Sequence, residues 1–216
     1  MKRVAIIRTG AANIASVAAA FHRLGADCVV ANEPADVKVN DYIVLPGVGS
    51  FRTGIQAIRQ NHWDDFLLSR FESNKPTLAI CLGFQLLCES SEEASDEEGL
   101  GILPGQVKRF SSGVTVPQFG WNRVEAIGPR FEDGYVYFAN SYCLPSSQWH
   151  GKDWEILKAN YGINFVAGVL KGNWLACQFH PELSGKWGQR LLDRWLRDDW
   201  TAETSGSNAD EVSRSC

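Results

Sequence analysis

The sequence predicts an α/β fold: a mostly parallel sheet flanked by helices and continued by an antiparallel extension. Three observations predict it. Over residues 4–45, apolar runs of strand length alternate with helical spacing, the strand–helix–strand order of a parallel sheet covered on both faces. After Pro76, the short apolar run Leu78, Ala79 and Ile80 passes through three residues straight into a helical FQLL pattern. From Gln106 to Cys177 the chain changes to short apolar runs separated by Gly, Pro and Asn, the patterning of antiparallel strands.

In chain order, Val4–Ile7 reads as the first strand and Thr9–Asn13 as a glycine-containing turn, with Arg8 a solvated loop charge. Ala15–Leu24 is an alanine-rich helix closed by Gly25, a residue suited to the position just past a helix end. Cys28–Ala31 and Tyr42–Leu45 are the next strands, and Phe51–Phe71 is expected as one helix carrying Ile55, Ile58, Phe66 and Leu67. Glu89–Gly101 (ESSEEASDEEGLG) is a run of like charge, the mark of a solvated loop. Further strands are expected at Gln106–Phe110, Asn122–Ala126, Tyr135–Ala139, Trp154–Tyr161, Phe165–Leu170 and Trp174–Cys177. Between the first two of these, Pro117–Asn122 (PQFGWN) is expected as an exposed loop, in which Trp121 is either an interface anchor or a core aromatic. Gly188–Trp200 is the closing amphipathic helix, through Leu191, Leu192, Trp195 and Leu196. Residues 201–216 are polar and poor in apolar side chains, so a disordered tail is expected beyond a single domain over 1–200.

The chemistry gathers at Cys81. A strand that runs into a helix through a reactive side chain with small neighbours, here Ala79 and Gly83, has the pattern of a nucleophile elbow. The new helix aims its free N–H groups and positive dipole end at the sulfur, which favours a thiolate. Taken alone, such a cysteine reads as readily as a buried structural thiol. A nucleophilic cysteine needs a base, and the base needs a group to hold its tautomer. The apolar run Trp174–Phe179 delivers His180, Pro181 and Glu182, and two residues apart on an extended chain share a face. Cys81, His180 and Glu182 therefore form a complete Cys–His–Glu set. Pro46-Gly-Val-Gly49, after the third strand, can present unobstructed N–H groups as half of an oxyanion hole, with the Leu82 N–H as the other half. Gln85, one helical turn past Cys81, is placed to contact a substrate.

Composition bounds the function. With 216 residues and a net charge of −4, the chain is long enough for one sizeable core and carries no basic footprint for nucleic acid. Six cysteines (28, 81, 88, 143, 177, 216) include no CxxC pair, the opening MKRVAII is a strand rather than a secretory signal, and no apolar run is of transmembrane length. A reducing cytoplasm without membrane attachment is the expectation. The four histidines (22, 62, 150, 180) lack ligand spacing, so neither metal nor cofactor is expected.

Ala79-Ile-Cys-Leu-Gly83 with Gln85, and His180-Pro-Glu182, resemble the class I (triad) glutamine amidotransferases. Six more segments narrow the resemblance to the glutaminase subunits of imidazole glycerol phosphate synthase. They are AIIRTGAANIASV at 5–17, LPGVGSF at 45–51, EEGLGIL at 97–103, VPQFGWN at 116–122, FANSYCLP at 138–145 and QFHPELSG at 178–185. The resemblance implies a flavodoxin-like amidotransferase fold and hydrolysis of L-glutamine by Cys81, His180 and Glu182. It implies an oxyanion N–H at Val48 or Gly49 beside that of Leu82, with a backbone flip as a switch. Substrate contacts are implied at Gly47, Gln85, Glu98, Ser141 and Tyr142. It also implies a (β/α)₈ cyclase subunit as partner in a heterodimer, met through Trp121, Asn122 and Leu183. Three positions depart from the family pattern: Arg8 for an acidic residue, Asn140 for His, and Leu183 for the Lys or Arg that usually follows H-P-E. An amidotransferase diverged toward another synthase, a stand-alone cysteine hydrolase and a non-catalytic subunit of the same fold are the alternatives.

Overall fold

The structure, a computed structural model, describes residues 1–9, 13–111 and 113–200. The expected turn over Thr9–Asn13 lies in part, and the expected tail over 201–216 wholly, outside the described residues. Five strands run parallel in the order β2 (Asp27–Ala31), β1 (Arg3–Ile7), β3 (Tyr42–Leu45), β4 (Thr77–Ile80), β12 (Trp174–Cys177). The antiparallel extension continues from β12 through β11 (Asn164–Lys171), β10 (Glu155–Asn160), β7 (Gln118–Ile127) and β8 (Gly134–Asn140). Three short strands, β5 (Cys88–Ser91), β6 (Leu103–Arg109) and β9 (Tyr142–Pro145), form a side ladder joined to β11 through β9.

Strand alternation builds two cores, one on each face. Val4 and Ile6 pack with Val17 and Phe21 of α1 (Ile14–Arg23) and with Leu191, Leu192 and Trp195 of α5 (Gly185–Arg197). Ala5 and Ile7 point the other way, toward Phe51, Ile55 and Ile58 of α2 (Phe51–Gln60) and Leu67 of α3 (Trp63–Glu72). A side-chain period of two thus fills both faces from one strand. Helix α1 starts where the Asn13 side chain accepts the Ser16 N–H, and it ends at Gly25, which turns at φ 77°.

Four expectations are corrected. The single helix over 51–71 is two: Asn61 closes α2, His62 takes the left-handed φ of 56°, and Trp63 starts α3 fully buried. Burying that indole requires a change of chain direction that one straight helix cannot make. The acidic stretch 89–101 is not a loose solvated run. It begins inside β5, where Cys88 and Ser91 are buried, and its acids tie it to α2 through Arg52–Asp96 and Arg59–Glu97. Residues 118–122 are strand, not loop. β7 pairs with β8 from Gln118↔Asn140 to Val124↔Gly134, with Gln118 and Val124 inward and Phe119 and Trp121 outward. The closing helix starts at Gly185 and ends at Arg197, where Asp198 turns left-handed.

Candidate active site

The carboxyl ends of β3, β4 and β12 lie side by side at one edge of the parallel sheet, so the residues that leave them converge. In open α/β sheets this edge is where ligands sit. Here Val48, Gly49, Cys81 and His180 line one cleft of about 460 Å³.

Cys81 is a sharp corner between β4 and the short α4 (Leu82–Leu86), at φ 54° and ψ −107°. A non-glycine residue in such a conformation is strained by about 1–3 kcal/mol and is held by its surroundings. The Cys81 N–H donates to the Cys177 carbonyl at 2.7 Å, tying the corner to β12. Gly83 lets the turn close, because a Cβ there would stand 2.1 Å from the Leu45 carbonyl oxygen. The thiol is buried, with the Ala139 carbonyl 3.9 Å from its sulfur.

His180 and Glu182 meet through a turn rather than along an extended strand. Pro181–Leu183 is a 3₁₀ turn started by the proline, and it brings His180 Nδ1 to 2.8 Å from Glu182 Oε1. The turn is fastened to β8: His180 N–H donates to the Tyr137 carbonyl, while the Ser184 hydroxyl accepts from Tyr137 N–H and donates to the His180 carbonyl. With Nδ1–H given to the carboxylate, Nε2 is left for the cysteine. Burial disfavours the imidazolium, but hydrogen bonds and attraction from Cys81 and Glu182 outweigh it and raise the His180 pKa to about 10. A thiol beside an imidazole so held can add to a carbonyl carbon and return a proton to the leaving group.

Of the expected oxyanion donors, Val48 and Gly49 line the cleft, and Gly49 sits at φ 105°. Gly47 lies beneath, against Leu82 and Gly83, with no space for a Cβ. The Leu82 N–H does not face the cleft as a free donor. It donates to the Gly47 carbonyl at 3.3 Å, because a backbone N–H takes the acceptor the adjoining loop holds against it.

Comparison with known proteins fits this geometry. The family model for glutamine amidotransferase class-I matches residues 5–198. The chain belongs to that family. Among relatives, it is 42% identical to the imidazole glycerol phosphate synthase subunit HisH of Oceanobacillus iheyensis, over 89% of this chain and 97% of that one. It is 38% identical to imidazole glycerol phosphate synthase hisHF of Arabidopsis thaliana, over 89% of this chain but 34% of that longer one. Similar solved structures include one described as glutamine amidotransferase, with TM-score 0.72 at 20% identity over 90% of this chain and 98% of that one. Another is PurLQS from Thermotoga maritima, with TM-score 0.70 at 21% identity over 91% and 98%. Among the described residues of this amidotransferase, no helix is long and apolar enough to cross a membrane.

The remaining expected residues of the amidotransferase divide. Gln85, Ser141 and Tyr142 line the cleft, as do Asn140 and Leu183. Glu98 does not; its carbonyl accepts from Arg59 on the outer side of α2. The carboxylate in the cleft is Glu93, whose Oε2 accepts the Phe51 N–H at the start of α2, 2.8 Å away. Glu93 sits in the 3₁₀ turn Glu92–Ala94 that follows β5, where its N–H donates to the Ser91 hydroxyl, a turn that the acidic run itself did not reveal. Trp121 stands 57% exposed on β7, edge-on to Tyr137, and Phe119 beside it is 71% exposed. Asn122 lies outside the cleft and donates to the Asn160 carbonyl. Gln178, which the sequence did not single out, is fully buried beside Cys81. The QFHPE string was its signal, overshadowed by the histidine and glutamate.

Proposed function

We propose that this chain is the glutaminase subunit of an imidazole glycerol phosphate synthase, acting in histidine biosynthesis. The thiolate of Cys81 attacks Cδ of L-glutamine, and the carbonyl π electrons move to oxygen. When the tetrahedral adduct collapses the C–N bond breaks, and ammonia leaves with the proton His180 carries. His180 then takes a proton from water, whose oxygen attacks the γ-glutamyl thioester; glutamate departs and the sulfur is freed. Glu182 holds the imidazole and balances its charge. The observation that supports this reading most is the meeting of Cys81, His180 and Glu182 on neighbouring strand ends.

The oxyanion forms between Leu82 N–H and the loop at Val48–Gly49. One peptide plane carries both the Gly47 carbonyl that now takes the Leu82 N–H and the Val48 N–H. Turning that plane over therefore removes a competing acceptor and supplies the second donor. Glu93 is the acid for the substrate α-ammonium group, and Gln85, Ser141 and Tyr142 complete its contacts, with Gly47 shaping the floor. Ammonia passes to a (β/α)₈ cyclase subunit bound over Trp121, Asn122 and Leu183. That subunit makes imidazole glycerol phosphate. The exposed Phe119 and Trp121 beside the cleft mouth support this docking face. No cofactor takes part, the enzyme is cytoplasmic, and the catalytic domain spans 1–200.

Cys81→Ser tests the assignment in the complex. Glutamine-dependent synthesis should be abolished while ammonia-driven cyclase turnover persists, since only the ammonia source is lost. Substantial glutamine turnover by Cys81→Ser would refute it.

A further inference from the structure

We propose that Gln178 is a positioning residue for the nucleophile, holding an amide N–H against the Cys81 sulfur in an orientation dictated by Gln85 and the Tyr142 carbonyl. The inference rests on Cys81 being the nucleophile, as proposed above.

Gln178 is fully buried between the end of β12 and His180, its backbone N–H donating to the Ala167 carbonyl. A buried primary amide must find partners for its polar atoms. Gln178 Oε1 receives Gln85 Nε2 at 3.0 Å, and Gln178 Nε2 lies 3.9 Å from Cys81 Sγ.

The polarity of this chain is fixed from its far end. A backbone carbonyl only accepts, so at Tyr142 O, 3.0 Å away, Gln85 must present its nitrogen. That NH₂ has two hydrogens, and the second meets Gln178, which must therefore present oxygen. Its own nitrogen is left facing the sulfur. Turning the Gln178 amide over would oppose N–H to N–H at Gln85 and set a carbonyl oxygen against the sulfur. Both changes are unfavourable in a dry site. A fixed donor favours the anionic sulfur that attacks and that is released again when the thioester is hydrolysed. Gln85 lines the cleft whereas Gln178 does not, so Gln178 acts on the sulfur without a place in the substrate contacts.

Gln178→Met keeps the volume and removes the donor. In the complex it should lower kcat for glutamine by about three- to tenfold, the worth of one hydrogen bond, with KM within about twofold. Ammonia-driven turnover should be unchanged, and the rate–pH profile for alkylation of Cys81 by iodoacetamide should move to higher pH. Gln178→Glu still accepts from Gln85 but sets a carboxylate oxygen toward the sulfur, so both effects should be larger. A folded Gln178→Met protein with the wild-type alkylation profile overturns the proposal. Should both variants fail to fold, the ¹⁵N-labelled wild type decides. Its Gln178 side-chain amide signals should follow the ionisation of Cys81, and signals that ignore it overturn the proposal. Glutamine turnover surviving in Cys81→Ser removes the underlying reading. An unmoved profile in Gln178→Met, with Cys81 still essential, removes only the role of Gln178.

Discussion

At Gly83 a single hydrogen decides whether the elbow can close. The nearest obstacle to a methyl group there is the Leu45 carbonyl, part of a central strand that cannot retreat. Gly83→Ala should therefore destabilise the protein by at least about 2 kcal/mol, measured by urea unfolding. A loss below half that would mean the strand yields. His180 carries a second residue-scale consequence. Its folded pKa of about 10 lies above the ordinary 6.5, so between those values the folded state binds more protons than the unfolded one. The stability it contributes is full below about pH 6.5 and is lost progressively up to about pH 10, by up to about 1.4 kcal/mol per pH unit. Buried thiols such as Cys143, pushed up to about 12 by desolvation, weaken the fold only on the alkaline side and do so in variants as well. The stability advantage of wild type over Glu182→Gln should thus shrink as pH rises from 6.5 to 10. An advantage that stays constant across that window would contradict the ion pair.

The element with most left uncovered is the β7–β8 hairpin. Its inward side chains, Gln118, Val124, Val136 and Phe138, belong to the interior, while Phe119, Trp121 and Tyr135 face out. A large exposed aromatic next to a reactive cleft is the composition of a binding hot spot. Leu183, 40% exposed on the turn beside it, cannot make the ion pair that a lysine or arginine there would make. A rim ion pair contributes only about 0.2–1 kcal/mol, so its lack need not dissolve a complex. The two positions should therefore behave differently toward the cognate cyclase. Trp121→Ala should weaken the dissociation constant by more than about tenfold, and Leu183→Lys should change it by less than about tenfold, or 1.4 kcal/mol. A hundredfold tightening by Leu183→Lys would mark this interface as weakened and favour an amidotransferase serving another synthase.

On the scale of the whole molecule, the Pro46–Gly49 loop, the thiol and the imidazole each follow a different parallel strand, while the proposed docking face belongs to the antiparallel extension. Tyr137 joins them: it lines the cleft, meets Trp121 edge-on and accepts the His180 N–H through its carbonyl. A partner seated on Trp121, as proposed, would touch the residue whose carbonyl holds the histidine, and its binding can be coupled to the site through that contact. Glutamine hydrolysis by the isolated chain should be low, and should rise by at least about tenfold when cyclase and its nucleotide substrate are both present, a coupling within the common range. Equal rates with and without them would exclude that coupling.

What the sequence determined by itself was local. A strand of two-sided apolar residues, a cysteine between small neighbours and an apolar strand that ends at His180 each carry their conformation in their own side chains. The parallel sheet, its antiparallel extension and the strand-end placement of Cys81 and His180 were legible for that reason. The tertiary structure decided what depends on a distant neighbour. Burial of Trp63 split one expected helix into two. Pairing with β8 made a strand of an expected loop at Trp121. The Phe51 N–H at the start of α2 holds the carboxylate of Glu93, which lines the cleft where Glu98 does not, and the nearness of Gly47 engaged the Leu82 N–H. Gln178 acquires its place from Gln85, which lies 93 residues away in the chain. A hydrogen bond depends on where its partner lies in space, and no local pattern encodes that partner.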